Sequence, residues 1–83
     1  MYDVVFYDKA KSQLEKLPPN VQERILSSLE RIRVRPYHFI KRKSGTPYFI
    51  FRVGNYRTIL DIKNDKLIIF VIDVGPRKNI YKK

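Results

Sequence analysis

Eighty-three residues with 18 Lys and Arg against 8 Asp and Glu make one small, strongly basic domain of formal net charge +10. That size is near the limit at which a single core suffices, so packing by the 43% hydrophobic residues, five Phe and six Tyr among them, must supply the stability. Cysteine is absent and histidine occurs once, as His38, which excludes disulfides, Cys–His catalysis and the usual His/Cys metal clusters.

The chain opens on Tyr2–Tyr7, whose β-branched and aromatic residues predict a strand. It has no basic n-region of a secretory leader, and no apolar run nears the roughly 20 residues of a membrane helix, so a cytoplasmic location without a membrane partner is expected. Asp8 is expected to cap a short helix with Ala10, Leu14 and Leu17 on one face, and Pro18-Pro19 ends it. Asn20 is expected to cap a second helix, with Glu23 completing a capping box and Val21, Ile25, Leu29 and Ile32 as its apolar stripe. This helix should end by about Arg35, before Pro36. Arg31, Arg33 and Arg35 read as a solvated helix face or a basic ridge. Tyr37–Pro47 shows no periodicity, and Lys41-Arg42-Lys43-Ser44-Gly45 reads as a basic loop.

Three apolar runs follow. Phe49–Val53 is a strand, Gly54-Asn55 a tight turn, Tyr56–Ile62 a second strand and Asn64-Asp65 a second turn. Lys66–Asp73 is a third strand, broken after Val74 by Gly75-Pro76. Its unbroken run Leu67–Ile72 leaves no polar face and predicts an interior strand. The expected fold class is therefore α+β, a single domain over residues 1–83 in the order β-α-α-β-β-β. Its antiparallel sheet is covered on one face by a two-helix hairpin.

The charge is uneven. Residues 1–36 carry seven basic and five acidic side chains, a net of +2, and residues 37–83 carry eleven and three, a net of +8. Such asymmetry points to a polyanion or an acidic protein on the basic half. Arg52, Arg57 and Arg77 lie at strand ends that a meander can bring together. Guanidinium groups bind phosphate bidentately and can stabilise charge on a phosphoryl oxygen, while tyrosine can stack on an unpaired base. RNA supplies its own nucleophile, the 2′-OH, so its cleavage needs neither metal nor histidine in principle, and no cofactor is expected. The bland alternative is that these arginines pair with Asp61, Asp65 and Asp73.

The element order resembles the RelE/ParE toxin superfamily, whose fold is also that of microbial ribonucleases. So do Arg52-Val53-Gly54-Asn55-Tyr56-Arg57 and Val71-Ile72-Asp73-Val74-Gly75-Pro76-Arg77-Lys78-Asn79-Ile80-Tyr81. The resemblance implies a toxin of a type II toxin–antitoxin pair, neutralised in a hetero-oligomer by a RelB-like antitoxin that is acidic and folds on binding. RelE-like members cleave mRNA in the ribosomal A site without metal. ParE-like members instead poison DNA gyrase. A small basic nucleic-acid-binding domain without activity is the third expectation. By resemblance, Arg57 contacts the scissile phosphate, Arg77 stabilises charge or protonates the leaving group, and Tyr81 stacks on the substrate. Lys41, Arg42, Lys43 and Lys78 are expected to bind RNA. Arg52 falls where the family's strand lysine lies, and the two lysines of better-known members correspond to Ile50 and Arg52. Arginine is a poor general base. Either Lys41 or Lys43 reaches in from the preceding loop, or electrostatic stabilisation carries most of the rate.

Overall fold

The computed structural model describes residues 1–76. In chain order its elements are β1 (Asp3–Phe6), α1 (Asp8–Glu15), α2 (Pro19–Arg31), a short 3-10 helix (Pro36–His38), β2 (Lys41–Arg42), β3 (Phe49–Val53), β4 (Tyr56–Lys63) and β5 (Ile68–Pro76). They form one sheet of order β1-β5-β4-β3-β2 with both helices on one face.

The α+β order stands, with two additions to the predicted sheet. It is mixed: β1 runs parallel to β5, Val4 opposite Ile69 and Phe6 opposite Val71. The apolar run of β5 needs a neighbour on each flank, β4 supplies one, and the helical crossover returns the chain so that β1 fills the other. The basic loop also contributes a fifth strand, with Lys41 opposite Ile50 and Arg42 opposite Phe49. Two residues carry no periodicity, so this strand is invisible to patterning. Its turn is held by Lys43 N–H donating to Tyr48 O at 2.9 Å and Thr46 Oγ1 donating to Lys43 O at 2.8 Å.

Several boundaries move. Tyr7, not Asp8, is the N-cap of α1, and α2 begins at Pro19 rather than after an Asn20 cap. Proline suits the first helical position because its missing N–H has no intrahelical acceptor there. The helix α2 stops at Arg31, with Ile32 as its buried C-cap. Strand β5 starts at Ile68 because Leu67 turns at a positive φ of 54°. It also continues through Gly75-Pro76, which pair with Arg57 and Tyr56. Proline is accepted there because β1 ends opposite Val71, leaving that flank of β5 without a ladder among the described residues.

The core joins Ala10 and Leu14 of α1 and Ile25, Leu29 and Ile32 at α2 to Phe51, Val53, Leu60, Ile69, Val71 and Val74 of the sheet. Its most consequential irregularity is in β5. Leu60 faces Val71 but Ile59 faces Asp73, so Ile72 is an extra residue and the alternation of β5 slips by one. Strict alternation would put Asp73 on the helix side; the bulge turns it to the open face instead. The Gln13 side chain on α1 braces this kink, its Oε1 accepting from Val74 N–H at 2.8 Å. Gln13→Leu leaves that partly buried N–H unpaired, with an expected loss of about 1–3 kcal/mol. A lower urea midpoint with unchanged slope will read it, whereas Gln13→Glu, which keeps an acceptor, is expected to hold most of the stability.

Candidate functional site

Arg57 sits at the start of β4, just after the Gly54-Asn55 turn. Gly54 has φ 58°, the left-handed conformation that glycine adopts without strain. The register sets Arg57 opposite Arg52 on β3 and opposite Gly75 on β5. The guanidinium lies beside Gly75 of β5, its Nη1 at an ordinary contact distance of 3.7 Å from where a Cβ would stand. Arg57 Nη1 stands 3.2 Å from Asp73 Oδ2, and the Arg57 side chain is only 12% exposed. This contact is a pairing of charges. Nε and Nη1 are buried and make no aligned hydrogen bond with any described residue.

Asp73 has a second cation, Lys9 Nζ of α1, at 3.9 Å from Oδ1. The carboxylate thus joins the first turn of α1 to the open face of the sheet, and the bulge puts it there. A cleft of about 220 Å³ opens beside the pair, lined by Lys43, Ile50, Arg57, Ile59 and Asp73. Two cationic side chains and one carboxylate on an apolar floor can bind an oxyanion and accept a proton.

The predicted residues divide. Arg57 and Lys43 share this cleft, so of the two loop lysines offered as reaching in, Lys43 is the one at Arg57. Lys41 is exposed on the edge strand β2. Arg42 lies over the Phe49 ring at 5.7 Å, its Nε donating to Thr46 O at 3.4 Å. Arg52 is exposed and borders a different cleft, between β3 and α2. Arg77, Lys78 and Tyr81 lie outside the described residues. The lone histidine, His38, is exposed on the 3-10 helix and lines neither cleft. Lys9 was missed, and only its position one residue after Asp8 hinted at it; Arg24 was missed as well.

The same two-layer architecture occurs in solved toxins. The toxin–antitoxin complex RelBE2 from Mycobacterium tuberculosis contains a chain that superposes with a TM-score of 0.82 at 25% identity, over 92% of this chain and 98% of that one. The intact E. coli RelBE toxin–antitoxin complex gives 0.80 at 23% identity, over 92% and 96%. The RelB-RelE antitoxin-toxin complex from Methanococcus jannaschii gives 0.72 at 26% identity, over 94% and 95%. No curated protein sequence is similar enough to this chain to count as a match. The fold is thus that of the RelE/ParE toxins. A sequence profile described as the ParE toxin of type II toxin-antitoxin system, parDE, matches residues 4–81. The chain belongs to that family and is a toxin of a type II toxin–antitoxin system.

Proposed function

We propose that this toxin is a ribosome-dependent endoribonuclease that cuts mRNA in the A site. The observation that carries this reading is Arg57, a nearly buried guanidinium whose Nε and Nη1 lack aligned partners among the described residues, beside a cleft that Lys43 also lines. Buried unpaired donors are costly, and a phosphate oxygen is the acceptor that suits them. In this reading the 2′-oxygen attacks the adjacent phosphorus and the bond to the 5′-oxygen breaks. The products are a 2′,3′-cyclic phosphate and a 5′-hydroxyl. Arg57 and Lys43 neutralise the phosphorane, and Asp73 takes the 2′-OH proton. Arg77 and Tyr81, matched by sequence, stabilise the leaving oxygen and stack on the base. An acidic RelB-like antitoxin covers the basic half, as complementary charge favours.

A second reading, poisoning of DNA gyrase, has its own support: the matching profile is that of ParE, and Asp73 already offsets part of the Arg57 charge. Two assays separate them. Purified toxin added to a translating extract should generate new mRNA 5′ ends that depend on ribosomes and leave gyrase supercoiling untouched. Supercoiling inhibition without new ends would move the assignment to gyrase.

Within the first reading the loop residues have separable tasks. Replacing Lys41 and Arg42 together is expected to weaken ribosome binding and flatten its salt dependence. Lys43→Ala is expected to reduce cleavage more than binding. Single-turnover cleavage set beside binding isotherms at several salt concentrations checks both, and equal losses of cleavage and binding on Lys43→Ala would remove it from the chemistry.

A further inference from the structure

The second cleft, on the helix side of β3, holds about 330 Å³ and has a built character of its own. Arg24, Ser28 and Arg31 form one stripe of α2 at helical spacing, next to the core stripe Ile25, Leu29 and Ile32. That stripe faces the end of β3, where Arg52 also borders the cleft. Arg24 reaches the β3–β4 turn: its Nη1 lies 2.8 Å from where a Cβ of Gly54 would stand, so a side chain there would push the guanidinium aside. Arg31 Nη2 reaches Ser28 Oγ at 3.5 Å, the outer limit of a hydrogen bond. Among the described residues no carboxylate lines the cleft, and no ion pair includes Arg24, Arg31 or Arg52. Arg33, two residues past Arg31, shows the contrast: Asp3, Glu30 and the Tyr2 carbonyl occupy it.

We propose that this cleft is a second anion site that takes a phosphodiester group of single-stranded nucleic acid, with a neighbouring base resting on Phe39. The Arg24 and Arg31 guanidiniums, gathered beside Arg52 with no counter-charge among the described residues, repel one another, and a bridging oxyanion removes the repulsion. The Phe39 ring at the mouth is 52% exposed, and an aromatic face accepts any base. Arg52 is the cross-strand partner of Arg57, and such pairs stand about 5 Å apart at Cβ. One strand can therefore pass over the β3–β4 turn from the Arg57 cleft to this one. An acidic peptide could neutralise the arginines but has no need of that path. The assignment shares only its polyanion with the functional reading above and does not need cleavage.

The test is fluorescence anisotropy with a short 2′-O-methyl oligoribonucleotide, which cannot be cut, across a salt series. The Arg24→Gln/Arg31→Gln double variant should bind more weakly and flatten the log–log salt slope by about 0.7, the share of one lost phosphate contact on a single strand. Phe39→Ala should weaken binding at every salt concentration and leave the slope alone. Lys63→Gln/Lys66→Gln, at the opposite end of β4, removes the same charge and should leave the slope as it was. All these side chains are exposed, and thermal melting confirms the fold of each variant. An unchanged slope in the arginine variant, equal flattening in the lysine control, or displacement of the oligonucleotide by a polyglutamate peptide at equal concentration would each overturn the assignment. Wild-type binding with the expected slope but no mRNA cleavage would reject the functional reading and leave this one standing.

Discussion

Arg57→Ala is expected to lower mRNA cleavage by about a hundred- to a thousand-fold, the loss typical when one preorganised charge contact to a developing oxyanion is removed. The effect should be concentrated in the chemical step if Lys41, Arg42, Arg52 and the α2 arginines meet phosphate as proposed. Arg57→Lys should recover only part of the rate, since an ammonium keeps the charge without the planar fork. The fold should survive: Arg57 lies on the open face of β4, and Asp73 retains Lys9 as a partner. Single-turnover rates measured beside a thermal melt separate the two effects. Unaltered cleavage by a folded Arg57→Ala variant would remove Arg57 from the chemistry.

The largest stability effect should come from Leu60→Ala. Leu60 is fully buried on β4, paired with Phe49 on one side and Val71 on the other, beneath the helical layer. Truncating a buried leucine typically costs about 2–5 kcal/mol, because the transfer energy is lost and the cavity collapses only in part. Domains are stable by only about 5–15 kcal/mol in total, and a small one has little to spare. Urea unfolding should show the midpoint falling steeply, and growth arrest by this variant should weaken through loss of folded protein. Leu60→Met, which nearly conserves volume, should cost less than about 1.5 kcal/mol. Equal stability of the alanine variant would mean that β4 is not the centre of the core.

Much of this was legible in the residues themselves. The apolar run of β5 marked an interior strand, and Gly54-Asn55 marked the turn that delivers Arg57 to the sheet end. The parallel pairing of β1 was not legible, since its alternation is the same beside either kind of neighbour. The bulge was equally hidden: Val71, Ile72 and Val74 are all apolar, so a slipped alternation leaves no trace in the pattern. Yet that slip turns Asp73 toward Arg57. Strand β2 escaped because two exposed residues, Lys41 and Arg42, look like any basic loop. The α2 cleft depends on how α2 packs against the end of β3, a tertiary relation that the Arg24, Ser28, Arg31 spacing alone does not encode. Of the arginines read as convergent, Arg52 and Arg57 are cross-strand neighbours, but Arg57 lines the cleft with Lys43 and Asp73 while Arg52 also borders the α2 cleft, and Arg77 lies outside the described residues.

Primer-extension mapping of mRNA on ribosomes stalled with a defined codon in the A site tests the central claim most directly. Wild-type toxin should produce a new 5′ end within that codon, absent when ribosomes are omitted and reduced at least a hundred-fold with Arg57→Ala. Intact mRNA on stalled ribosomes, with toxin at a concentration that arrests growth and inhibits gyrase, would contradict it.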